Sequence, residues 1–323
     1  MRAALRTIAA AVALLGSAVH AAAAEYPTRP ITLVVPYAAG GGNDVIARIV
    51  AEKMATSLGQ SIVIENRGGA GGTIATRQVA RADPDGTTLL IATSSLAINP
   101  SLYPNAGYDP RKDFAGVGLI AASGNILLVH PAVPARSVGE LIALAKQQPG
   151  KLTFGSTGTG SSVHLAAELF AGMAGVKINH VPYKGSAPAL NDLVGGHVNM
   201  IFSTAASAAG LVKDGSKVRA LAVTGGKRSA LFPDLPTVAE AALPGYEAVL
   251  HYGIVAPAGT PRPVVEKLNA ALNAALATED VKRRLALEGA EALPVRPEEH
   301  DADIAAEEAK WSEIIRKSGM KAE

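Results

Sequence analysis

Apolar residues recur along the chain with two periods, and the points where one period gives way to the other predict its elements. Residues 31–35 (Ile31 to Val35) form a short β-rich run. Next comes Pro36-Tyr37-Ala38-Ala39-Gly40-Gly41-Gly42-Asn43-Asp44, and then Ile46, Ile49, Val50 and Leu58 fall at helical spacing. The order is strand, glycine loop, helix. Further apolar strands are expected near 62–64, 88–92, 126–129, 152–154, 177–181, 198–202 and 218–223. Helical stretches separate them, two of them opened by capping-box patterns, Ser137 with Glu140 and Thr237 with Glu240. Strands taking turns with helices predict an α/β fold with parallel sheets. The last amphipathic stretch, 298–317, carries Ile304, Trp311 and Ile315 on one side and reads as a surface helix packed on the first lobe.

The N-terminus breaks this alternation. Arg2 and Arg6 precede an apolar run from Ile8 to Val19, and Ala21 to Ala24 follow, the order of a secretory signal cleaved near Ala24. The run is too short to cross a bilayer, which takes about 20 residues, so 1–24 is expected to direct export of a soluble protein. The roughly 300 residues that remain exceed one ordinary core and predict two α/β lobes. Two glycine- and proline-punctuated apolar segments, 116–124 and 249–259, are the expected passages between them. The first lobe would then span 25–124 plus 250–323, and the second 125–249.

Composition narrows the chemistry. With 48% hydrophobic residues over 323 positions, disorder is excluded, and the absence of cysteine excludes disulfide frameworks, zinc fingers and thiol nucleophiles. The 30 basic residues barely outnumber the 28 acidic ones, and two of the basic ones lie in the leader. No broad basic face is left for nucleic acid or an anionic membrane.

The candidate chemistry lies in two glycine loops. Gly40 to Asp44 follows one strand and opens a helix, and Gly155-Ser156-Thr157-Gly158-Thr159-Gly160-Ser161-Ser162 repeats that design in the other lobe. At a helix N-terminus the first N–H groups lack intrahelical partners and the macrodipole is positive, so such a loop binds an anion without a fixed cation. Asn43, Ser156, Thr157 and Ser161 add short side-chain donors. Facing each other across a cleft, the loops would grip a small carboxylate from both sides. Nucleotide loops fail on spacing: neither has the Gly-Lys-Ser/Thr of a P-loop, and Val45 and Val163 stand where a dinucleotide loop needs its third glycine. No Gly-x-Ser-x-Gly elbow and no His-Glu-x-x-His motif occurs. An exported α/β hydrolase acting on small esters, with Ser161 and His164, is the competing reading, although a residue three positions along a helix is poorly placed as a base. His164 would contact a bound anion or tie down its loop, the second being favoured. Asp44 reads as a helix stabiliser rather than a general base, and Lys184 as either a cleft cation or a solvated loop residue.

The ordered motifs Tyr26-Pro27-Thr28-Arg29-Pro30-Ile31, Pro36 to Asp44, Glu65-Asn66-Arg67-Gly68-Gly69-Ala70-Gly71-Gly72, Pro84-Asp85-Gly86, Gly158 to Leu165, Val181-Pro182-Tyr183-Lys184-Gly185 and Ala256 to Pro261 resemble the Bug family. These are substrate-binding proteins of tripartite tricarboxylate transporters. The resemblance covers almost all of the chain after the leader. It implies a two-lobed, type II-like periplasmic binding protein with a hinge of two crossing strands, a monomer without catalysis, cofactor or metal. Such a protein delivers a small organic carboxylate to membrane permease subunits. By position, it implies ligand contacts from Tyr37, Ala38, Gly41, Gly42, Asn43, Asp44, Thr93 and Ser94 in the first lobe. In the second they come from Ser156, Thr157, Gly160, Ser161, His164, Tyr183, Ser203 and Thr204. Two departures stand out: Asn199 where many relatives carry Asp, and His251 where they carry Trp. With Asn199, a carboxylate partner for a ligand amino group is lost, which disfavours amino acids.

Overall fold

The structure, a computed structural model, describes residues 26–103 and 105–318; the leader read at 1–24 lies outside the described residues. Strand β1 (Ile31–Val35) leads through the first glycine loop into helix α1 (Gly42–Leu58). The helix forms where the period changes: Ile46, Ile49, Val50, Met54 and Leu58 make one buried stripe, and Gly59, in left-handed geometry at φ 69°, ends it. Strand β2 (Ile62–Asn66), helix α2 (Thr73–Val79), strand β3 (Thr88–Thr93) and helix α3 (Ser94–Leu102) complete this stretch. In the sheet, β1 lies between β2 and β3, all parallel.

Strand β4 (Phe114–Val129) is continuous for 16 residues and serves both lobes. As far as Gly124 it pairs antiparallel with β9 (Val249–Pro257), which also flanks β3. From Asn125 onward it pairs antiparallel with β7 (Met200–Thr204) and, from Ile126, with β8 (Arg219–Val223). Parallel strands β5 (Thr153–Ser156) and β6 (Asn179–Pro182) extend the second half beyond β7. The expected parallel pairing holds for β1 with β2 and β3 and for β5 with β6 and β7, and it is broken at β4 and β9. Every ladder made by β4 and β9 is antiparallel; the two pair with each other in opposite senses because one passes out of the first lobe and the other returns.

Around the second half pack α4 (Val138–Gln147), α5 (Ser162–Ala174), α6 (Ser186–Val194), α7 (Ala205–Asp214) and α8 (Val238–Ala241). Thr237 and Glu240 form the full capping box at α8. Ser137 accepts from Glu140 N–H as expected, but the Glu140 carboxylate takes the N–H of Arg136 instead of closing the box. Helices α9 (Arg262–Ala277) and α10 (Glu279–Leu287), strand β10 (Ala290–Ala292) and helix α11 (Pro297–Ser318) end the chain.

One core gathers Leu33, Ile46, Met54, Leu89, Ile91, Leu268 and Leu272, and another gathers Phe154, Phe170, Met200, Phe202 and Tyr246. Each such side chain contributes about 1.5–3 kcal/mol by leaving water. The place expected for α11 needs correcting. Its Ile304 packs with Ala92 and Leu96 of the first lobe, but Trp311 and Ile315 enter the second lobe's core. The helix spans the two.

Candidate functional site

Between the lobes lies a cavity of about 300 Å³, lined on one side by Tyr37, Gly68 to Gly72 and Tyr103, and on the other by Thr157, Gly158, Thr159, Pro182, Tyr183 and Lys184. Lys184 is the one charged side chain in that lining, and it has no ion-pair partner among the described residues. Tyr183 is held in place from outside: its O–H donates to Asp192 Oδ2 at 2.6 Å. On the first-lobe wall the Tyr37 hydroxyl meets Ser95 Oγ at 2.9 Å, so the ring closes the floor with its polar end already bonded. Burial pushes the Tyr37 phenol up, against the lowering pull of Ser95 and Thr93.

The second glycine loop is tied down from within. Ser156 Oγ, fully buried, sits 2.6 Å from His180 Nε2 and accepts from Gly158 N–H at 3.1 Å. Gly160 N–H goes to His164 Nδ1 at 3.1 Å, and Ser161 caps α5 by accepting from His164 N–H. The rings of Phe154, His180 and His164 stack in sequence, with 4.0 Å between the two imidazole centroids. Burial and the neighbouring His164 hold His180 down to about 3, so the His180 imidazole is neutral at ordinary pH. The Ser161–His164 pair considered for hydrolysis is not formed: the serine hydroxyl serves a backbone N–H and the imidazole serves Gly160. After this internal bonding, the N–H groups of Thr157, Thr159, Ser162 and Val163 have no partner among the described residues.

The first glycine loop opens α1 without any side-chain cap at Gly41, leaving the Gly42 and Asn43 N–H groups unpartnered among the described residues. Asp44 is bonded within its own loop and helix. It accepts from Gly40 N–H at 2.9 Å and from Arg48 Nε at 3.1 Å. Burial alone would raise its carboxyl, but the bonds from Arg48 and Gly40 bring it below the usual range.

Of the sixteen positions singled out from the sequence, the cavity brings together Tyr37, Thr157 and Tyr183. Ala38 lies at its edge, where a methyl on Gly185 of the opposite lobe would meet the Ala38 Cβ at 3.6 Å. Gly41, Gly42, Asn43, Asp44, Ser156, Gly160, Ser161 and His164 belong to the two loops but not to the lining. Thr93 and Ser94 instead line a void of about 20 Å³ beside His251 and His300. Ser203 and Thr204 end β7 in full burial, and Thr204 caps α7 by accepting from Ser207 N–H. Asn199 is far from this role: its Oδ1 accepts from Thr153 N–H at 2.8 Å, stapling the start of β5 to the start of β7. Asn199 thus stands at the opposite strand ends from the glycine loop, and its lack of charge does not disfavour a ligand amino group there. His251 pairs with Asp303 of α11 at 2.9 Å.

Sequence reasoning missed the Gly68 to Gly72 wall and Tyr103. The glycine run was visible, but it precedes the seven-residue α2, too short to announce itself. Among the described residues no group of three His, Asp or Glu side chains could hold a metal ion, and no helix is long and apolar enough to cross a membrane.

Known proteins resemble this chain over almost its whole length. BugT of Bordetella pertussis (strain Tohama I) is 37% identical over 319 residues, covering 98% of either chain. The periplasmic binding protein BugD superposes with a TM-score of 0.87 at 39% identity, over 92% of this chain and 100% of its own. R. palustris Rpa4515, solved with adipate, gives 0.88 at 40% identity, over 92% of this chain and 100% of its own. Residues 46–320 match the model of the tripartite tricarboxylate transporter family receptor, TctC, and the chain belongs to that family.

Proposed function

We propose that this chain is an exported, periplasmic solute-binding protein, acting without catalysis, that captures a small organic carboxylate between its lobes and delivers it to the membrane permease of a tripartite tricarboxylate transporter. One observation carries the reading: the interlobe cavity is lined by peptide groups of glycine loops from both sides, with one cation, Lys184, and no carboxylate. Such a lining stabilises a negative ligand and has nothing to repel it. Charge-assisted hydrogen bonds contribute about 1.5–3 kcal/mol each, and micromolar affinity takes about 8 kcal/mol. Three to five donors suffice, and the lining offers the free N–H groups of Thr157 and Thr159 together with the Lys184 ammonium. The proposed first lobe comprises 25–124 plus 250–323 and the second 125–249, a division supported by the change of partners along β4 at Gly124 and the start of β9 at Val249. Adipate bound to Rpa4515 supports an aliphatic diacid as the first ligand to try.

The test is a thermal-shift screen of the protein without residues 1–24, against mono-, di- and aromatic carboxylates, with a nucleotide and a sugar as controls. A ligand at 100 times its dissociation constant adds about 2.7 kcal/mol of stability. A shift with at least one acid is expected. A shift with nucleotide or sugar alone would refute the reading.

A further inference from the structure

A seam of direct protein contacts crosses the cleft beside the cavity. The Tyr103 hydroxyl, just beyond α3, donates to the Thr159 carbonyl at 2.6 Å. The same peptide unit gives its N–H, that of Gly160, to His164 Nδ1 at 3.1 Å. One lobe therefore holds the oxygen end of this peptide and the other lobe its nitrogen end. Asn99 supports the first-lobe face, donating Nδ2 to Gly71 O and to Thr73 Oγ1, each at 3.0 Å. The fit leaves no room for side chains. A Cβ on Gly71 would run into Thr159 O, and one on Gly160 would lie 3.1 Å from the Tyr103 ring and 3.2 Å from Leu102. Both glycines also sit at positive φ, 60° and 80°.

We propose that Tyr103 is a positioning residue for capture: by taking the Thr159 carbonyl it latches the Thr157 to Ser161 loop over the cavity, so the lobes are held closed by a bond that does not involve the ligand. Apparent affinity scales with the fraction of molecules in the binding-competent state. Removing one such bond lowers that fraction by about three- to tenfold. Burial and the nearby Tyr37 push the Tyr103 phenol up, which keeps its O–H available as a donor through the neutral range.

Y103F keeps the ring and deletes the donor. The ligand-free variant is expected to melt close to the parent protein. Small-angle scattering without ligand should show a larger radius of gyration. Dissociation constants for adipate and for a shorter diacid should rise by the same three- to tenfold factor, in the off-rate. G71A, which forces the backbones apart at the same seam, should open the ligand-free protein in the same direction. Unchanged scattering and unchanged affinity in Y103F would overturn the latch. So would an effect confined to one acid, since that makes Tyr103 a ligand contact. The inference goes beyond the carboxylate reading, and if the parent protein binds no organic acid, that reading fails while the scattering comparison still decides the latch.

Discussion

Ser156 and His180 set a condition on pH. The 2.6 Å contact and the stacked rings need an uncharged imidazole, and His180 is held down to about 3 by burial and by His164. His300, beside the void at α11, is held down to about 4 by burial, against the pull of Asp303. Both values lie below the ordinary 6.5, so the unfolded chain binds these protons first and stability is lost as pH falls from about 6.5 toward 3. His251 works in the other sense. The Asp303 bond raises it, so its contribution is full below about 6.5 and fades as pH rises through the folded value. Two lowered imidazoles against one raised one predict a net fall on acidification. H180F retains the stack and removes one of the two. The expectation is a loss of about 1 kcal/mol at pH 7, from the broken Ser156 bond. Urea midpoints at pH 7 and pH 4.5 should then differ less in H180F than in the parent protein. An equal drop in both would show that His180 does not carry the acid sensitivity.

Helix α11 shows how far an amphipathic stripe can be read. Ile304, Trp311 and Ile315 share a face as the sequence indicates, and all three are buried, but the stripe names the face and not what it meets. Trp311, 2% exposed, packs into the core that holds Phe154, Phe170 and Tyr246. W311A should therefore cost about 3–5 kcal/mol. Because the substitution removes the chain's one tryptophan, the measurement is urea unfolding followed by far-UV circular dichroism. A cost below about 1 kcal/mol would place the helix end on the surface after all. The same limit governs the other elements. β1, its glycine loop and α1 were legible because the hydrophobic period changes sharply at Gly42. β4 was legible only in fragments. Gly116, Gly118, Gly124 and Asn125 read locally as breaks, and pairing with β9, β7 and β8 on its flanks overrides that weak propensity. Of the cavity, the Thr157 to Thr159 wall could be seen because it opens a 13-residue helix. The Gly68 to Gly72 wall could not, since its meaning comes from Thr159, almost ninety positions away in the chain.

At the scale of the molecule, neither lobe owns a complete set of elements. β4 is central to both sheets, and α11 leaves Ile304 in one core and Trp311 with Ile315 in the other. The first lobe is further tied to α11 by Gly116 N–H, which donates to Asp301 at 2.7 Å, and by the His251–Asp303 pair. Unfolding the second lobe alone would strand half of β4 without its ladders and pull the end of α11 out of its core. The buried surface lost on both sides of the boundary links the two events. The expected consequence is a single cooperative transition despite the two-lobed shape, with Trp311 fluorescence and far-UV circular dichroism tracing the same denaturation curve. Calorimetric and van't Hoff enthalpies should agree. Two resolved transitions, with the fluorescence following one of them, would mean that β4 and α11 connect the lobes without coupling their stability. A ligand held between the lobes should then move only the lobe that binds it more strongly, instead of shifting the whole curve.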